Sequence, residues 1–114
     1  MYYYISIHSD DYTQKIKSEV LEHYLLSKFG FTKVGHLKFI KEINGETVEI
    51  MGIPANPNGG YAFNTLDGIE EVNLIEIDLP RYIDGNLEHS ISEIAISIAK
   101  EFSWMIDDNH GLDD

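Results

Sequence analysis

The 114 residues contain no cysteine. That excludes disulfides, thiolate nucleophiles and Cys-ligated zinc or iron–sulfur centres, and it accords with a reducing compartment. Positive charge is also scarce, with eight Lys and Arg against twenty Asp and Glu and a net charge of −12 at pH 7. The shortage is one-sided. In residues 1–41, Lys15, Lys17, Lys28, Lys33, Lys38 and Lys41 outnumber Asp10, Asp11, Glu19 and Glu22, whereas residues 42–114 hold Arg81 and Lys100 against sixteen Asp and Glu. A field of that sign repels phosphate and has no counterions to release, so nucleic acid and anionic membrane are poor partners. Basic proteins, cations and neutral small molecules remain as classes of partner. No run approaches the ~18 apolar residues of a membrane-spanning helix. The opening Met1-Tyr2-Tyr3-Tyr4-Ile5 lacks a basic segment and a long apolar run, so no signal peptide is expected and the expected location is the cytoplasm.

What is present describes one folded domain over 1–114. Hydrophobic residues make up 43% of the chain, too many for a disordered acidic tail. Residues 2–8 are aromatic and β-branched and read as a strand, with Tyr3, Ile5 and Ile7 on one face. A helix is expected over about 10–28, capped by Ser9 or Asp10 and striped by Ile16, Val20, Leu21, Tyr24 and Leu25. Gly30 is a natural stop for it. Asn44-Gly45, the preferred pair for a type I′ turn, predicts a hairpin of 37–43 with 46–53. In that register Leu37, Phe39, Val48 and Ile50 share one face, and Lys38, Ile40, Glu42, Thr47, Glu49 and Met51 share the other.

Residues 54–71 are rich in Pro, Gly and Asn and form a long connection, with a short strand expected near 61–64. Residues 72–79 form another strand, placing Ile75, Ile77 and Leu79 opposite Glu76 and Asp78. Asp84-Gly85-Asn86 is a turn. A Ser90…Glu93 capping box opens a last helix over about 91–107, striped by Ile91, Ile94, Ala95, Ile98, Phe102 and Met105. The acidic stretch 107–114 is expected to fray. The order β-α-β-β-(β)-β-α predicts an α+β two-layer sandwich, a variant of the ferredoxin-like arrangement. Its largely antiparallel sheet of about four strands carries both helices on one face.

Chemical motifs are absent. The five histidines form no H-E-x-x-H pair, Asn58-Gly59-Gly60 matches no phosphate-binding loop, and Ser9 beside His8 points to the opposite face of a strand. Asp107, Asp108 and His110 match no calcium-loop spacing. No catalytic residue, cofactor or metal ligand is assigned, and an enzyme is not expected. Trp104 falls about 120° off the Ile98 stripe on a helical wheel, a position suited to anchoring a partner. The acids of the hairpin, the long connection and the 72–79 strand would form one surface if these elements adjoin. The expected partner contacts are therefore Glu46, Glu49, Glu70, Glu71, Glu76 and Asp78, with Tyr61 and Trp104 as anchors.

In size, acidity, lack of cysteine and α+β layout, the whole chain resembles the small acidic immunity proteins of contact-dependent inhibition and other polymorphic toxin systems. That resemblance implies binding to a cognate basic toxin, often a nuclease, and occlusion of its active site. Two alternatives stand beside it. One is an enzyme or small-ligand binder with its site under the 54–71 loop, using His8 and His36. The other is an oligomerising domain that dimerises through an edge strand.

Overall fold

A computed structural model describes residues 4–107. It has eight strands and two helices: β1 (Tyr4–His8), β2 (Ile16–Lys17), α1 (Ser18–Phe29), β3 (Thr32–Gly35), β4 (Lys38–Ile43), β5 (Glu46–Ile53), β6 (Glu71–Val72), β7 (Leu74–Asp78), α2 (Gly85–Phe102) and β8 (Met105–Asp107). Six strands form one antiparallel sheet in the order β3-β4-β5-β7-β1-β8, and β2 pairs with β6 separately. The stretch β8-β1-β7-β5, with a helix after β1 and another after β7, has the ferredoxin-like strand order. Strands β3 and β4 extend it on one side. The expected two-layer α+β sandwich is therefore present, with six strands in its sheet where about four were expected. The additions are the exposed edge strand β3, which has little apolar pattern, and the three-residue β8.

The hairpin forms in the expected register, from Ile43 opposite Glu46 to Lys38 opposite Met51. Asn44 and Gly45 both take positive φ, as a type I′ turn requires. Period-two alternation then divides the sheet. Ile7, Phe39, Val48, Ile50, Ile75 and Ile77 are buried in one core with Leu21 and Leu25 of α1 and Leu87, Ile91, Ile94, Ala95 and Ile98 of α2. Both helices thus cover one face. Contact there is close at Gly52, where a Cβ would lie 2.8 Å from Leu21 Cδ2 and 2.9 Å from Leu37 Cδ2. Both leucines are fully buried, so making room means shifting packed neighbours. Gly52→Ala is expected to lower stability by about 1–3 kcal/mol through overpacking, measurable by urea unfolding. A neutral result would show that α1 can shift outward.

Both helix boundaries differ from the sequence reading. Residues 10–15 are not helical because local side chains take their backbone groups. Asp11 Oδ1 accepts from the Thr13 amide and hydroxyl, and Ser9 Oγ accepts from the Gln14 amide. Tyr12 sits in the left-handed region, and Ile16–Lys17 is drawn into pairing with β6. Helix α1 therefore starts at Ser18, after Lys17, with no side-chain cap. It ends as expected at Gly30, which has φ 73°.

Helix α2 begins six residues early. Asp84 accepts from the Leu87 amide at 2.8 Å and is the true cap, so Ser90 and Glu93 lie inside the helix. The helix ends at Phe102. Ser103 turns left-handed and the Trp104 amide reaches back to the Ala99 carbonyl, closing a Schellman-type turn. Met105 then begins a strand instead of extending the helical stripe. Tyr2, Tyr3 and the acidic stretch from 108 onward, including Asp108 and His110, lie outside the described residues.

Candidate functional site

The face of the sheet away from the helices is where the acids collect. Glu49 on β5 stands directly opposite Asp78 on β7, and Asp78 stands opposite Tyr4 on β1. One step along, Met51 faces Glu76, Glu76 faces Ser6, and Ser6 faces Asp107 of β8. Directly opposed side chains have Cβ atoms ~4.5–5.5 Å apart, so four carboxylates occupy neighbouring positions with the small Ser6 between Glu76 and Asp107. This placement follows from alternation. Because Ile75 and Ile77 must face the core, Glu76 and Asp78 must face away from it.

Tyrosines wall this acidic floor. Tyr4 belongs to β1. Tyr12 stacks on the buried His8 at 4.0 Å between ring centroids. Tyr61 arrives from the 54–71 connection and donates its hydroxyl to Glu76. That connection is held at several points. The Asn73 side chain accepts from the Ala55 amide and donates to the Tyr12 and Ala55 carbonyls. Ala55 and Tyr61 form a single bridge where a short strand over 61–64 was expected. Gly59 packs so closely on Tyr12 that a Cβ would lie 2.8 Å from the Tyr12 hydroxyl.

The electrostatics follow from this convergence. Burial raises the Tyr4 phenol above its ordinary value, and the charges of Glu76, Asp107 and Asp78 raise it further. Tyr12 is raised by burial and then by Asp107 and Tyr4. Tyr61 is pushed well above the usual phenol range by burial, by its hydrogen bond to Glu76 and by nearby negative charge, so it remains an O–H donor. Glu49 is raised by burial and by Asp78, with Lys38 partly offsetting them. Each of these shifts arises from acids crowded into a poorly hydrated setting.

Of the residues expected to contact a partner, the structure brings together Glu49, Tyr61, Glu76 and Asp78. The others lie elsewhere. Glu46 is paired with Ile43 at the end of the hairpin, on the helix-covered face, near Arg81 and Asp84. Glu71 pairs with Lys17, and with Glu70 it borders a separate depression of about 910 Å³ lined also by Lys15, Glu19 and His36. Trp104 is 7% exposed and packs beside Phe102 in the core. The helical wheel misplaced it because residue 104 is not helical. Tyr4, Tyr12 and Asp107 are site residues that the sequence reading left out. Alternation along 2–8 puts Tyr4 opposite Ile5 and Ile7, a signal that could have placed it here.

The histidines proposed for a ligand site do not meet. His8 lies on β1 and His36 precedes β4, with β7 and β5 between, a separation of about 14 Å at the usual strand spacing. His36 bonds the Ile69 carbonyl through Nε2, and His8 bonds the Ser9 carbonyl through Nδ1. Among the described residues no group of three or more His, Asp or Glu has the arrangement to hold a metal ion, and no helix is long and apolar enough to cross a membrane. No protein-family model matches the chain, and neither a curated protein nor a solved structure matches it.

Proposed function

We propose that this protein is an acidic protein-binding inhibitor, an immunity protein that neutralises a basic bacterial toxin of nuclease type by covering its active site. The observation that carries this reading is the array of Glu49, Glu76, Asp78 and Asp107 on neighbouring strands of the sheet face away from the helices, Glu49 and Asp107 part-exposed and Glu76 and Asp78 buried. A nuclease gathers Lys and Arg to hold phosphate, and a rigid sheet of carboxylates competes for the same cations. Tyr4, Tyr12 and Tyr61 add contact area and hydroxyls at low entropic cost. The framework under them is buried β-strand, which suits a preorganised interface.

The test is a tagged pull-down from the native cell, washed at low and then high salt, with wild type beside Glu49→Gln/Asp78→Asn. The expected result is a stoichiometric basic protein that wild type holds at low salt and releases at high salt, and that the variant fails to retain. A partner held equally by both proteins at both salt concentrations would overturn the assignment of this face.

A further inference from the structure

We infer that Tyr61 is an autoinhibitory latch: its hydroxyl occupies the Glu76 carboxylate until the cationic group of a basic protein partner displaces it, and the 54–64 strap opens as it does. This rests on the acidic-face reading and adds to it how that face is uncovered. Glu76 is 3% exposed while Tyr61 is 52% exposed, so the tyrosine ring is the outer member of the pair. A cation approaching Glu76 from solvent therefore meets the ring first.

The strap is built to move as a unit. Its base is closed by the Ala62 amide on the Pro54 carbonyl and by the Ala55–Tyr61 bridge. Its tip is a tight internal turn, with the Asn56 amide on the Gly60 carbonyl, the Gly59 amide on the Asn56 carbonyl and the Gly60 amide on Asn58 Oδ1. These bonds lie within the strap and survive if it lifts. At its base the strap stays tied down, by the Asn73 side chain on the Ala55 amide and carbonyl and by Phe63 against the core, and it pivots there. Beyond that hinge two contacts hold it to the face, Gly59 against the Tyr12 ring and Tyr61 on Glu76. Residues 56–58 and 60–62 are exposed, so few apolar contacts oppose lifting of the tip. An arginine or lysine brings a full positive charge to Glu76 where the phenol brings only a dipole, and that added attraction in a poorly hydrated setting favours the exchange.

Tyr61→Phe keeps the ring and removes the donor. Amide hydrogen exchange at 59–62 in the free protein is expected to quicken by about ten- to a hundredfold, with β5 and β7 unchanged. Association with a deca-arginine peptide is expected to quicken by about three- to tenfold, because more of the protein starts open. Adding Glu76→Gln should abolish that gain. Unchanged exchange in Tyr61→Phe would overturn the latch whatever the peptide does. Faster exchange without faster association would also overturn it, since the strap would open without gating the face. In that second case the acidic-face reading stands only if wild type binds the peptide in a salt-sensitive way that Glu49→Gln/Asp78→Asn weakens. If the peptide binds neither protein, the acidic-face reading fails and the latch fails with it.

Discussion

Trp104→Ala should lower folding stability by about 3–5 kcal/mol, the usual cost of deleting a buried aromatic ring. The ring is 7% exposed and its centroid lies 5.9 Å from that of Phe102, in the cluster that joins both helices to the sheet. Its position depends on the end of α2. Ser103 turns left-handed, the Trp104 amide bonds the Ala99 carbonyl, and the chain reverses so that Met105–Asp107 can pair with β1. Removing the ring therefore loosens the seam between α2 and β8 as well as opening a cavity. For a domain whose total stability is on the order of 5–15 kcal/mol, the loss is a large fraction. Urea unfolding followed by circular dichroism would measure it in wild type and variant alike, and Trp104→Phe should retain most of the stability. A change below about 1 kcal/mol would place Trp104 among surface residues and restore it as a candidate anchor. A large stability loss with partner affinity preserved would confine its role to the core.

The elements that could be read from sequence were those whose signal is local. Asn44-Gly45 fixes its own turn, and with it the register and both faces of the hairpin. Alternation in β7 separated Ile75 and Ile77 from Glu76 and Asp78 before any neighbour was known. Gly30 marked the end of α1 because only the left-handed region is required there. The failures have one cause, which is competition between partners for backbone groups. Residues 10–17 have enough helical periodicity to be read as helix, yet Asp11 and Ser9 capture amides locally and β6 takes Ile16 and Lys17. At the far end, the hydrophobic stripe runs on through Met105 while the backbone leaves the helix at Ser103 to add a strand to β1. Periodicity reports which residues are apolar and cannot report a pairing made with a segment a hundred residues away.

The site was legible to the same extent. Glu49, Glu76, Asp78 and Tyr61 were expected to share one surface, and the strand order β5-β7-β1-β8 brings the first three beside Asp107. Glu46, Glu70 and Glu71 were grouped with them by charge alone. Parity along the strand puts Glu46 on the helix-covered side, and the β2–β6 pairing holds Glu71 next to Lys17. Charge count gives the sign of a surface, and only topology decides which charges share it.

That distinction leads to the second large effect, in which stability and binding should move in opposite directions. Glu49 and Asp78 are directly opposed like charges, an arrangement that costs roughly 0.2–1 kcal/mol. Burial and Asp78 hold the Glu49 carboxyl above its ordinary value of 4.5. Its raised pKa means that the folded state binds this proton more tightly than the unfolded state does. The associated stability is full below about pH 4.5 and is lost as pH rises through the folded-state value. Glu49→Gln should therefore be more stable than wild type at pH 7, by no more than about 1 kcal/mol, and the advantage should vanish under acidic conditions. The same acids steer a basic partner. Glu49→Gln/Asp78→Asn should slow association by about tenfold at low salt. Near 1 M salt, where the screening length is about 3 Å, the two rates should converge. Stopped-flow association across a salt series, beside urea unfolding across a pH series, measures both. A variant that is merely damaged loses stability and binding together. Gain of one with loss of the other is the signature of a strained acidic pair retained for a partner, and unchanged association at every salt concentration would remove this face from the interface.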